Sequence, residues 1–245
     1  MAAGGGLAWY HGRFIPDAPF VQPAVTSLSG TQTYAKVHAS VARISTKNNA
    51  GSGAYIGNRI VLTAAHVVMD ANAVPYDTTG IEVRLRDGKL IMPGKLLAWS
   101  RVADLAIVQL PADPGVPAMQ MAPAGSQLIG RTAYMVGMPA GFEGAPQLAE
   151  GTVSVLALLT TGTQVFEHTM RAPPGMSGAP IIDDTGRIVG IQQGEFVDNT
   201  ARLGLPTGVG VVPAEVVARL KSSIWVAQNA DAVAAVLKDI DATKP

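Results

Sequence analysis

The chain has 245 residues, 48% of them hydrophobic and only 15% charged, against roughly 25% charged in an average soluble domain. That length suits one large domain or two small ones, and the apolar content excludes an intrinsically disordered chain. Eighteen Lys and Arg balance eighteen Asp and Glu, so there is no basic excess to bind a phosphate backbone, and no nucleic-acid partner is expected. There is no cysteine, which excludes disulfides, thiolate metal sites and a cysteine nucleophile. No apolar run is long enough to cross a membrane as a helix. The first ten residues, Met1 to Tyr10, lack a basic start and a long apolar run. They do not read as a signal peptide, so the cytoplasm is favoured over a secreted mature form.

Residues 1–34 are rich in Gly, Pro, Ser and Thr and read as an N-terminal arm. Its Trp9, Tyr10, Phe14 and Phe20 suit docking against a folded surface. Short β-branched and apolar runs then follow, each closed by turn residues. They predict strands at Val37–Ser45, Gly53–Ile56, Ile60–Thr63, Ile81–Arg86, Lys89–Trp99 and Leu105–Leu110. Gly57-Asn58-Arg59 and Asp87-Gly88-Lys89 supply turns between them. Residues 35–110 are thus a first β-barrel. Pro111, Pro114 and Pro117 open a linker over 111–125, since three prolines in seven residues continue neither strand nor helix. A second barrel over 126–212 is expected from strands at Thr132–Val136, Gln147–Leu158, Gln164–Thr169, Ala179–Ile182, Arg187–Gln192 and Val209–Val212. Residues 213–245 read as helical: Pro213 suits a first helical position, and Val216, Val217 and Leu220 share a face. Asn229 would cap a last helix that buries Val233, Val236, Leu237 and Ile240. The expected fold is all-β, two antiparallel six-stranded barrels in series with C-terminal helices.

Three segments carry chemistry. His66 follows a strand in Thr63-Ala-Ala-His66. Asp104 precedes one in Asp104-Leu-Ala-Ile-Val108. Ser177 sits between glycines in Gly175-Met-Ser177-Gly-Ala-Pro180. Each alone is ordinary: a structural histidine, a turn aspartate, a glycine turn. Together they supply a weak nucleophile, a base to activate it and a group to orient the base, which is what acyl transfer needs. Gly175 lets the backbone turn so that its N–H and that of Ser177 face one developing oxyanion. An α/β-hydrolase would want Gly-x-Ser-x-Gly, with serine before histidine, and a subtilisin-like order would place aspartate first. His11, His38, His66 and His168 show no metal-ligand spacing, so no metal and no cofactor is expected.

These motifs resemble those of the chymotrypsin-like (trypsin-fold) serine peptidases, most closely the bacterial group with the HtrA/Deg proteases and glutamyl endopeptidases. The likeness covers roughly residues 35–212. It implies two barrels with the active cleft between them, His66 as base, Asp104 as its orienting carboxylate and Ser177 as nucleophile. Gly175 and Ser177 would form the oxyanion hole, and the substrate a protein or peptide. It also implies that the strand carrying Gln192, Gln193 and Gly194 walls the specificity pocket, with Gly208 opposite and Arg171, beside Ala172, at its floor. In digestive members of the family the residue before the nucleophile is an aspartate that pairs with a newly freed N-terminus. Here it is Met176, an adaptable apolar side chain that cannot anchor an ammonium. Arg171 opposes cleavage after basic residues. It favours an acidic P1 side chain if it faces the pocket, or a small or aliphatic one if it turns to solvent. His168 is a further candidate to approach the pocket.

After Val212 only about 33 residues remain, too few for the PDZ-like domain of a full HtrA protein, so a lone protease domain or part of a longer one is expected. The sequence is compatible with an activating partner or a homo-oligomer. It is also compatible with a rival: a peptide-binding module that keeps the fold and has lost catalysis.

Overall fold

The computed structural model describes residues 27–70, 74–76, 80–100, 103–123, 126, 128–158, 164–195 and 225–229. Helix α1 (Gly30–Val37) and a 3-10 turn (His38–Ser40) lead into strand β1 (Val41–Ser45). Strands β2 (Ala50–Gly57), β3 (Ile60–Thr63), β4 (Ile81–Leu85), β5 (Leu90–Ser100) and β6 (Leu105–Gln109) follow, with a one-turn helix α2 (Ala65–Val68) after β3. They form a closed antiparallel barrel in the order β1-β2-β3-β6-β5-β4. Strands β7 (Thr132–Gly137), β8 (Gln147–Leu158), β9 (Gln164–His168), β10 (Pro180–Asp183), β11 (Ile188–Glu195) and β12 (Trp225–Asn229) form a second, in the order β10-β11-β12-β9-β8-β7. Two six-stranded barrels are therefore present, as expected. Among the described residues no helix is long and apolar enough to cross a membrane.

The barrels follow from strict alternation and tight turns. In β4, Ile81, Val83 and Leu85 point inward while Glu82 and Arg84 pair outside, the period-2 pattern of a half-buried strand. The Arg86–Lys89 turn joins β4 to β5. Its central Asp87 and Gly88 both have positive φ, as the favoured hairpin turn requires. Ile44, Tyr55, Val61, Val83 and Val108 fill the first barrel. Met135, Phe166, Met170, Ile181 and Val189 fill the second. A third cluster lies between the barrels, with Val41, Leu62, Leu105 and Ile107 of one against Val136, Met138, Ile182 and Ile191 of the other. Burial of each such side chain contributes about 1.5–3 kcal/mol. This shared core fixes the mutual position of the two barrels and so of the cleft at their junction.

Two expectations are corrected. The strand expected at Val37–Ser45 begins only at Val41, because the preceding residues are helical: Ser29 and Gln32 form a reciprocal capping box that starts α1. The helix docks on the second barrel through Tyr34 Oη to the Pro146 carbonyl and Lys36 Nζ to the Thr185 carbonyl. The arm therefore ends in a docked helix. Residues 111–123 form no helix or strand and are held on both barrels. Met119 N donates to the Tyr55 carbonyl and Ala122 N to that of Ile188. Finally, Trp225–Asn229, read as part of a helical tail, is the strand that closes the second barrel, pairing with both β9 and β11. The strand expected at Val209–Val212, the pocket residue Gly208, residues 1–26 and the helices expected at 213–224 and after Asn229 lie outside the described residues.

Candidate active site

His66 rides on α2, the single helical turn that follows β3. The first N–H groups of any helix lack partners within it, and Ala64 offers no side-chain cap. Asp104 supplies the acceptors from the turn before β6. Its carbonyl accepts from Ala65 N at 3.1 Å and its Oδ1 from His66 N at 3.0 Å. Its Oδ2 lies 2.8 Å from His66 Nδ1. One carboxylate thus holds both the backbone and the ring of His66. Asp104 does so with φ at 48°, a conformation that aspartate tolerates better than most residues. Asn49 Nδ2 donates to the His66 carbonyl at 2.9 Å and steadies the turn from the other side. The imidazole remains 44% exposed, open to the cleft.

Ser177 comes from the loop before β10 in the second barrel. Gly175 has φ at +93°, and a Cβ there would lie 2.3 Å from Ala140 N, so only glycine fits. Gly178 is as tightly placed, with φ at +85° and the Ser52 carbonyl 2.1 Å from where a Cβ would stand. The Pro174 carbonyl accepts from Ala140 N at 2.7 Å. In a trans peptide the N–H points opposite the C=O, so the Gly175 N–H is turned away from Ala140. Among the described residues, neither the Gly175 N–H nor the Ser177 N–H has an acceptor, and Ser177 Oγ makes no hydrogen bond. His66, Gly175 and Ser177 all line one cleft of about 640 Å³, together with Arg43, Asn49 and Ala140. Met176 points the other way. It is 2% exposed and packs in the second-barrel core, filling the space under the loop.

Of the residues expected to contact substrate, Arg171, Ala172, Gln192, Gln193 and Gly194 are described, and each has a defined place. Arg171 is exposed to solvent, where its charge keeps its hydration. Ala172 is buried in the second-barrel core beside Met170. Gln192 is 1% exposed, with its Oε1 2.7 Å from His168 Nε2 and its backbone bonded to Gly178 and Ala179. Gln193 Nε2 donates to the Ala103 carbonyl at 2.9 Å, tying β11 of the second barrel to the turn that carries Asp104. Gly194 lies on β11 opposite Val226. His168, 1% exposed, does approach this wall; burial pushes its pKa down to about 4, although the bond to Gln192 opposes the shift. The sequence reading missed Asn49 and Ser52. Ser52 is fully buried and bonded to the serine loop, and only its place in the Gly51-Ser52-Gly53 run of small residues hinted at a close approach.

Residues 51–191 match the family model described as a trypsin-like peptidase domain. The chain belongs to that family. It is 33% identical over 171 residues to a putative serine protease, HhoA, of Synechocystis sp., a match covering 65% of this chain and 39% of that protein. It is 27% identical over 158 residues to the serine protease Do-like HtrA of Bacillus subtilis, covering 60% and 33%. The matched part is thus about a third to two fifths of these relatives' length. Among solved structures, Rv3671c of M. tuberculosis, in an inactive form, aligns with a TM-score of 0.65 at 21% identity, covering 91% of this chain and 95% of that one. A serine endoprotease of Yersinia pestis aligns at 0.67 and 17%, covering 88% and 67%. These structures share the double-barrel fold of trypsin-like peptidases.

Proposed function

We propose that the chain is a serine endopeptidase acting through a Ser177-His66-Asp104 triad and an acyl-enzyme. The observation that carries this reading is that His66, hydrogen-bonded to Asp104 behind it, lines one cleft with Ser177 and with two unpaired N–H groups. His66 Nε2 takes the proton of Ser177 Oγ as that oxygen bonds to the scissile carbonyl carbon. The imidazolium then gives the proton to the leaving amine, and the C–N bond breaks. Water repeats the sequence on the acyl ester and frees Ser177. The Nδ1–H donated to Asp104 Oδ2 keeps Nε2 free to accept and stabilises the imidazolium. The N–H groups of Gly175 and Ser177 receive the negative charge on the substrate oxygen. The gap between Ser177 Oγ and His66 closes on substrate binding, as catalytic bonds tighten in the Michaelis complex. The substrate is a protein or peptide, and the solvent-facing Arg171 favours a small or aliphatic P1 residue over an acidic one.

The test is hydrolysis of a fluorogenic peptide library by the wild type and by Ser177→Ala. The reading expects turnover to fall by on the order of 10⁴–10⁶ in the variant. Equal turnover by both proteins would overturn it.

A further inference from the structure

A loop whose N–H groups are to meet an oxyanion has to be held in place, and Met176 cannot do this with an ion pair. The Gly175–Ser177 segment contributes carbonyls of its own that need partners, and one residue of the other barrel takes two of them. Ser52 on β2 is fully buried. Its Oγ donates to the Gly175 carbonyl at 2.7 Å and accepts from Met138 N at 2.8 Å. Its backbone N–H donates to the Ser177 carbonyl at 2.7 Å. Its carbonyl accepts from Thr63 Oγ1 at 2.7 Å, which anchors it within the first barrel.

These bonds bracket the peptide unit that matters. The Pro174–Gly175 peptide carries the Gly175 N–H. On one side it is followed by the Gly175 carbonyl, which Ser52 Oγ grips. On the other, its own carbonyl is held by Ala140 N, two residues beyond Met138, whose N–H the same Ser52 Oγ accepts. Rotation of that peptide, which would swing the N–H out of the cleft and a carbonyl into it, breaks the Ala140 bond and strains the one to Ser52. A serine hydroxyl suits the position because it donates and accepts at once, and no alanine or glycine offers either.

Resting on the endopeptidase reading above, we propose that Ser52 is a positioning residue for the oxyanion hole. Its hydroxyl, supplied by the first barrel, does from across the interface what an ion pair beside the nucleophile does elsewhere in the family. Ser52 touches no substrate; it acts through Gly175.

The test compares wild type, Ser52→Ala, Ser52→Thr and Ser52→Cys, with Val83→Ala in the first-barrel core as a control for lost stability. The readouts are kcat and KM on one peptide substrate, affinity for a peptide aldehyde that forms a hemiacetal with the nucleophile, and Tm. In Ser52→Ala, kcat and aldehyde affinity are expected to fall together by about ten- to a hundredfold, with KM little changed. Ser52→Thr keeps the hydroxyl and restores most of both. Ser52→Cys fills the site with a weak bonding group and falls between, which preserves the comparison if the alanine variant does not fold. A kcat within twofold of wild type in Ser52→Ala, or an equal loss in Val83→Ala at matched Tm, would overturn the inference alone. A folded wild type with no peptide hydrolysis and no aldehyde binding would overturn the endopeptidase reading with it.

Discussion

In the first barrel, His66 and Asp104 are held by bonds made within that barrel. One carboxylate caps the helical turn and fixes the ring, and Asn49 braces the turn from behind. In the second barrel, Ser177 sits on a loop of positive-φ glycines whose carbonyls are taken by Ser52 of the first barrel and by Ala140. The base half is self-supporting, and the nucleophile half leans on its neighbour. On the endopeptidase reading, chemistry that spans two barrels depends on the interface as much as on the three side chains. Gln193, bonded to the Ala103 carbonyl, is the reciprocal tie from the second barrel to the first.

Apart from loss of the nucleophile itself, the largest expected effect breaks the self-supporting half. Asp104→Asn keeps the shape but offers an amide where His66 N–H and Nδ1–H need acceptors, which favours the wrong imidazole tautomer. A loss in kcat of about 10⁴ is expected, read on a peptide substrate with Tm monitored alongside. A loss below tenfold would mean that Asp104 serves only the helix turn. Gly175→Ala attacks the other half. The added methyl collides with Ala140 N and the φ of +93° is strained for alanine, so the loop has to rearrange. Turnover is expected to fall by about 10²–10³ with the far-UV circular dichroism of the chain unchanged. Retained turnover would show that this N–H is not used.

A third prediction concerns the buried wall behind the serine loop. His168 has a pKa of about 4 in the folded protein against about 6.5 when unfolded. Below about pH 6.5 the unfolded chain binds the extra proton and the folded one does not, so this residue costs stability progressively as pH falls toward 4. The full cost is on the order of 3 kcal/mol. His168→Gln should show a flatter Tm profile between pH 6.5 and 4 than the wild type; identical slopes would place the titration elsewhere. The smallest effect sharpens the comparison at its second tie. Gln193→Ala removes one hydrogen bond to the Asp104 turn, and a two- to tenfold fall in kcat with KM unchanged is expected. A change in KM alone would make Gln193 a substrate contact instead.

Strands whose apolar pattern and flanking turns are local were legible in the sequence, with Ile60–Thr63 and Gln147–Leu158 the clearest examples. The three chemical motifs were legible too, because a histidine after a strand, an aspartate before one and a serine among glycines are local signatures. Elements decided by distant contacts were not. Helix α1 carries a readable capping box but is short and polar, and its docking on the second barrel through Tyr34 and Lys36 has no local trace. Trp225–Asn229 is a strand because β9 and β11 leave a gap that it closes, which five residues in a Val- and Ala-rich segment do not announce. Between the two orientations open to Arg171, and for the partner of Gln192, the deciding factor is likewise which way a side chain points, into solvent in one case and onto His168 in the other.

The measurement that bears most directly on the account is labelling of the folded chain with a fluorophosphonate, wild type beside Ser177→Ala and His66→Ala. The reagent reacts only with a serine activated by its base and faced by an assembled oxyanion hole. Stoichiometric labelling of the wild type at Ser177, and none of either variant, is expected. An unlabelled wild type, or equal labelling of Ser177→Ala, would contradict it.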